Sequence, residues 1–423
     1  MHRFKFPFFA IVIALSASVR LASAAQPATT SYVIHPGDTW TALSLRYGIE
    51  AHELKLLNPQ MNSLRQPAVG RPVNLPETLH EQKGRIIRPH DGGLVQSAAA
   101  NLVSPWALAD QNDLPSPYRP TLYRALLLAG TETIREYPFG LTSLEFSQSL
   151  AVPGAALGVR GMIDGDRTNP AGELLVWLDS IPAVIAIDGE NFIGIAGTGA
   201  FYSGGEPEVV IRAGNEPVWT QPLAFDQRDW IFQQLTLTGE AAEIDQQARD
   251  EERARLQELW TVVTGRPQWA AHFASPIMDF LEVSAPYGAR RSYNGGPYLT
   301  YHEGVDFSAY AGTPVYAPAG GTVVLAEELY VRGGSVIIDH GLGIFTGYYH
   351  LSAVHADAGQ PVHSGDLLGE VGTTGLSTGN HLHWDMLVNG VWVDARLWQD
   401  QRLDCWLLEG LGRPCDLPSL DNS

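Results

Sequence analysis

The sequence predicts a multidomain, mainly β chain: a small β-α-α-β module, a β-sandwich-like middle domain and a C-terminal antiparallel β domain. Three observations predict it. The composition is turn-rich, with 43 Gly and 28 Pro in 423 residues, which favours short strands over long helices. Short β-prone runs separated by turn pairs recur over residues 141–238 and again over 275–398. Helical spacing is confined to a few segments, chiefly one near the N-terminus and one at 240–264.

Residues 1–24 read as a cleaved signal peptide. Arg3 and Lys5 supply a positive start, Phe6 to Leu15 an uncharged apolar stretch, and Ala22-Ser23-Ala24 a small-residue cleavage site. No other stretch is long and apolar enough to span a bilayer, so no integral membrane span is expected after cleavage. The full chain carries a net charge of −19. That charge argues against a nucleic-acid partner, whose phosphates need Lys and Arg. It also argues against docking on anionic lipid. An exported chain permits a disulfide between its two cysteines, Cys405 and Cys415.

Residues 31–77 form the first module. Ser31–His35 reads as a strand, and Pro36-Gly37 as a turn. Asp38 or Thr39 caps a helix carrying Trp40, Leu43 and Tyr47 at helical spacing, with Gly48 as its stop. Ala51–Leu57 reads as a second helix ended by Asn58-Pro59, and Arg71–Leu75 as a returning strand. The run Tyr32 to Thr39, Leu54, Leu57-Asn58-Pro59 and Val69 to Pro76 resembles the LysM module. That resemblance implies binding to N-acetylglucosamine-containing glycan such as peptidoglycan. The chain departs from the pattern at Trp40, where an aliphatic residue is usual, and at Asn74, where an apolar one is.

Residues 78–140 give a poorly defined linker region, with a helix expected around Thr121–Tyr137. Leu174–Leu178, Ala183–Ile187, Phe192–Ala196 and Val209–Arg212 then predict an immunoglobulin-like sandwich over 141–238, with no chemical constellation. In 240–264, Ile244, Ala248, Leu256, Leu259, Trp260 and Val263 recur at three- and four-residue steps, which predicts a helical linker.

The chemistry gathers in residues 275–398. Thr313–Ala317, Gly321–Ala326, Ser335–Asp339, Gly343–His350 and Leu382–Val388 read as strands. Seven of the 13 His lie between His302 and His383. His302 and Asp306 stand four apart, His350 closes a strand, and His381 and His383 stand two apart. Residues two apart on a strand share a face, so His381 and His383 should look into one cavity. A catalytic zinc takes three N or O ligands and keeps an open position. Two imidazoles and one carboxylate meet that need, and the remaining imidazoles can move protons. Spacing alone does not separate ligand from base. His340, His355 and His363 read as packing or surface residues.

Tyr287-Gly288, His302-x3-Asp306, Gly312 to Val315, Gly320 to Val323, Tyr349-His350-Leu351, Val362 to Asp366, Gly372-x-Thr374-Gly375 and Gly379-x-His381-x-His383 together resemble the M23 zinc metallopeptidases of the lysostaphin and LytM type. The resemblance implies an antiparallel β fold with a groove that takes the peptide part of peptidoglycan. It implies His302, Asp306 and His383 as zinc ligands and His350 and His381 as catalytic histidines. It also implies an assisting tyrosine, Tyr293 or Tyr298. Leu325–Arg332 is expected to loop over the groove, and 399–423 to form a tail pinned by a disulfide. The implied activity is a secreted, zinc-dependent peptidoglycan endopeptidase of the cell envelope, held on glycan by LysM. The alternative is a non-catalytic wall-binding protein or an activator of other hydrolases.

Overall fold

The computed structural model describes residues 28–416, apart from 78–79, 90–92, 122–123, 139, 149, 166–173, 204, 215–217 and 237–245. The expected signal peptide lies outside the described residues. Strands Thr29–Val33 and Pro72–Pro76 pair antiparallel around helices Trp40–Tyr47 and Ala51–Leu57. Thr39 caps the first helix by accepting from the Ala42 N–H, and Gly48 ends it with a left-handed φ of 61°. Trp40 is buried in the module core, so a ring replaces the usual aliphatic side chain there. Asn74 faces outward, and its N–H is held by the Asn58 side chain at 2.7 Å. Asp38 and Arg46 form a buried ion pair at 2.5 Å, and Arg46 also donates to the Ile134 carbonyl.

The region read as a linker holds a second β-α-α-β unit. Its strands Lys83–Ile87 and Leu126–Thr133 pair antiparallel, with helices Gly93–Ala100 and Pro105–Gln111 between them. Where a helix was expected around Thr121–Tyr137, Leu126–Thr133 is a strand. Leu126, Leu127 and Leu128 look helix-forming by composition, but pairing with Lys83–Ile87 decides their conformation.

The middle domain has two four-stranded sheets. One contains Leu141–Phe146, Ala156–Ile163, Val184–Asp188 and Asn191–Gly197. The other contains Leu174–Leu178, Ile181–Pro182, Glu208–Ala213 and Trp219–Pro222. Its core is continuous with that of the N-terminal module, joining Ile34, Trp40 and Leu54 to Val159, Phe192 and Ile211. Gln221 stitches the two modules from a fully buried position. Its Oε1 accepts from the Gly37 N–H at 2.9 Å, and its Nε2 donates to the Asp38 carbonyl at 3.2 Å.

The C-terminal domain is built on a ten-stranded sheet. Every residue of its strand Gly333–Gly341 is buried, because both faces are covered. Val336 and Ile338 point into the main core. Ile337 points the other way, with Phe345, Tyr349 and Leu387, against Leu256 and Trp260 of helix Gln246–Trp260. That helix thus covers one face of the sheet, where the sequence reading made it a linker. The expected loop Leu325–Arg332 is strand as far as Leu329, and only the turn at 330–332 is left free of the sheet.

The described part of the expected tail, residues 399–416, is also structured. Helices Ala395–Gln401 and Leu403–Gly410 follow directly, and Leu403, Leu407 and Leu408 join a core shared with Ile193 and Ile195 of the middle domain. Cys405 and Cys415 form a disulfide over a separation of ten residues, so the bond closes a helix wedged between domains. Among the described residues no helix is long and apolar enough to cross a membrane.

Replacing Gln221 with Ala strands the Gly37 N–H inside the seam between modules. Loss of a partner for one buried donor costs about 1–3 kcal/mol. Urea unfolding of the Gln221→Ala protein should show a lower midpoint by that amount, at an unchanged m-value.

Candidate metal centre

Three adjacent antiparallel strands place the site. Gly304–Ser308 pairs with His381–Val388, putting Asp306 opposite His383 and Ser308 opposite His381. Ile344–Val354 flanks His381–Val388 on its other side and sets Tyr349 opposite His383. His302 lies just before the first strand, fixed by its N–H to the Ala289 carbonyl at 2.9 Å and by its own carbonyl, which accepts from Gly288 at 2.8 Å. Gly304 is required by this packing. A Cβ there would lie 2.4 Å from the Trp384 carbonyl oxygen and 2.7 Å from His383 Nε2.

His302 Nε2, Asp306 Oδ1 and His383 Nδ1 converge. They are 3.0 Å apart from His302 to Asp306, 3.0 Å from His302 to His383, and 2.7 Å from His383 to Asp306. His302 Nδ1 lies 3.1 Å from the Pro286 carbonyl and must carry the proton there, so its Nε2 presents a lone pair. At most one proton, on His383 Nδ1, then serves three converging acceptor atoms. A cation resolves that arrangement, and an N, O, N donor set suits zinc.

The protonation states agree. Burial pushes His383 down to about 3, against the opposing pull of Asp306. Burial pushes Asp306 up, but its close contacts with His302 and His383 outweigh it and hold the carboxyl well below its usual range. Asp306 and His383 therefore carry the protonation states that ligation demands near neutral pH.

His350 and His381 stand beside this set with ring centroids 4.7 Å apart. Nδ1 of His350 lies 2.8 Å from the Thr374 carbonyl, and Nδ1 of His381 lies 2.8 Å from the Gly379 carbonyl. In the neutral form each ring so anchored turns Nε2 out as its acceptor, and that of His381 lies 3.9 Å from Asp306 Oδ1. Burial, then the neighbouring His381, lowers His350 to about 4. His350 is thus unprotonated at neutral pH, the form a general base needs.

The structure gathers all five expected residues, and it adds others. Arg291 reaches to 3.7 Å from Asp306 Oδ2. Tyr298 packs edge-on against Phe232, while Tyr293 is partly exposed at a strand end. His355 makes a half-exposed pair with Glu370, and His363 is exposed. A second cluster, His272, Asp404 and Cys405, is structural: Cys405 is in the disulfide, and Asp404 accepts from the Phe273 N–H. His340 is a buried packing residue. Its Nδ1 lies 2.7 Å from the Gly320 carbonyl and its Nε2 2.8 Å from Thr346 Oγ1.

Residues 300–395 match the profile of peptidase family M23, and residues 32–76 match that of the LysM domain. An uncharacterized metalloprotease of Haemophilus influenzae is 41% identical over 27% of this chain and 24% of its own length. The peptidoglycan DD-endopeptidase ShyA of Vibrio cholerae is 36% identical over 28% of each chain. The DD-carboxypeptidase/endopeptidase Mpg of Neisseria meningitidis is 39% identical over 26% of this chain and 25% of its own. The chain thus spans about a quarter of the length of these relatives. It carries an M23 peptidase domain and, near its N-terminus, a LysM domain.

Burial lowers His340 to about 4, against about 6.5 in an unfolded chain. Its folded pKa is depressed, so the stability it contributes is present above pH 6.5 and lost as the pH falls towards 4. Between pH 7 and pH 5 this one group should remove about 2 kcal/mol. Denaturant titrations should find a His340→Gln protein less sensitive to that change by a similar amount.

Proposed function

We propose that the chain is an exported, zinc-dependent peptidoglycan endopeptidase that hydrolyses peptide stems or cross-bridges of the cell wall. The observation that carries this reading is the convergence of His302 Nε2, Asp306 Oδ1 and His383 Nδ1, with two further imidazoles presenting free Nε2 atoms beside them. In this reading His302, Asp306 and His383 hold zinc, which supplies Lewis acidity towards the scissile carbonyl and a nearby water. His381 or His350 takes the proton of the attacking water at Nε2. Their Nδ1 anchors to the Gly379 and Thr374 carbonyls keep the rings turned towards the site. The imidazoles then return a proton to the departing amine.

The LysM domain is assigned the glycan strand, through its N-acetylglucosamine units. The core it shares with the middle domain makes it a fixed arm and not a swinging tether. The name of one relative, a peptidoglycan DD-endopeptidase, supports peptidoglycan as the substrate, and that of another, a DD-carboxypeptidase/endopeptidase, supports peptide-bond cleavage. The disulfide and the N-terminal signal pattern support the envelope as the compartment.

The test is release of soluble fragments from purified sacculi. The zinc-loaded protein should release peptide-bond cleavage products, lose the activity to a chelator, and regain it with zinc. His350→Ala and His381→Ala should each lower the rate by about 10²–10⁴ while keeping the metal. Failure of the zinc-loaded chain to cleave any sacculus or muropeptide would contradict the reading.

A further inference from the structure

We infer that Glu252, on the helix outside the matched peptidase segment, is a positioning residue for His350. The inference deepens the reading above, in which His350 moves a proton. Glu252 is only 7% exposed, yet it is a carboxylate on an otherwise charged, solvated helix. It shares one face with Leu256 and Trp260, four and eight residues on, so docking of that face aims it into the sheet domain. Both of its oxygens are used. Oε2 accepts from the Val331 N–H at 2.6 Å, and Oε1 accepts from Arg332 Nη1 at 3.0 Å.

That places the carboxylate on the turn at 330–332. The Arg332 carbonyl of this turn accepts the His350 N–H at 2.8 Å. His350 sits at φ 63°, a left-handed conformation that a non-glycine residue keeps only when its surroundings enforce it. On the other side of the turn, the Val331 carbonyl accepts from the Leu376 N–H at 2.8 Å, and Thr374 supplies the carbonyl that anchors His350 Nδ1. The guanidinium of Arg332 lies 5.1 Å from the Tyr349 ring and 3.5 Å from Glu303, which follows His302. Glu252 is thus the anion that fixes one wall of the cradle holding His350. Without it, the half-buried Arg332 loses its closest partner and the Val331 N–H is left unpaired, so the turn must shift.

The test uses the full zinc-loaded chain with ¹³C-labelled histidine, the His350 Cε1–H NMR signal being assigned by its loss in His350→Ala. Glu252→Ala should move or broaden that signal while zinc content stays at the wild-type level. It should also lower kcat on a muropeptide by about 10- to 100-fold with KM little changed, as expected for a base displaced by about 1 Å. Glu252→Gln keeps an acceptor for Val331 but no charge for Arg332. It should fall between the two, and it carries the test should the Ala protein not fold. Leu256→Ala loosens the same helix face without touching the carboxylate; it should lower Tm and leave the His350 signal in place. An unmoved His350 signal in the Glu252 variants, or an equal displacement in Leu256→Ala, overturns the inference. If the wild-type chain cleaves no muropeptide, the proposed activity fails, and the His350 signal still decides whether Glu252 positions that ring.

Discussion

The site depends on one constraint, the register that sets Asp306 opposite His383 across two antiparallel strands. With that register fixed, the period of two along His381–Val388 turns His381 and His383 to the same side. The neighbouring strand brings Tyr349, and with it His350, to the other flank. A slip of one residue would turn His383 to the opposite face and dissolve the donor set. The register is in turn secured by burial. Leu382, Trp384, Met386 and Val388 all sit in the main core, so the strand has one energetically acceptable alignment.

The same burial logic joins the parts of the chain. The LysM domain shares a core with the middle domain, and the helix Leu403–Gly410 wedges between the middle domain and the peptidase. Gly158 lies so close to Trp406 that a Cβ would sit 2.8 Å from the ring. The covering helix Gln246–Trp260 completes the second face of the peptidase sheet. Glycan attachment and peptide cleavage, as proposed, are therefore held at a set distance and orientation.

Much of this was legible in the sequence wherever one residue type or one period decides the outcome. The H-x-H pair is an example, because strand geometry alone predicts that its rings share a face. Thr39 and Gly48 are another, because capping and a left-handed stop are local. The misread segments are those in which distant partners decide. Leu126–Thr133 is composed like a helix and becomes a strand only against Lys83–Ile87. Leu325–Leu329 extends its strand because Gly333–Leu329 pairing continues to the turn. The region after residue 399 looked like a tail because its apolar residues find their partners in the middle domain, about 200 residues away in sequence. Glu252 was invisible for the same reason. Nothing in a charged helix marks the one carboxylate that will be buried, apart from its spacing from Leu256 and Trp260.

His302, Asp306 and His383 are proposed to form the zinc site while His350 and His381 stay free for proton transfer. The most direct test is zinc-edge anomalous scattering from crystals of the zinc-loaded chain. One peak is expected about 2.0–2.2 Å from His302 Nε2, His383 Nδ1 and an Asp306 carboxylate oxygen, with neither His350 nor His381 within ligating distance. A peak coordinated by His350 or His381 in place of one of the three, or a zinc bound at His272 and Asp404 with none between His302 and His383, would contradict it.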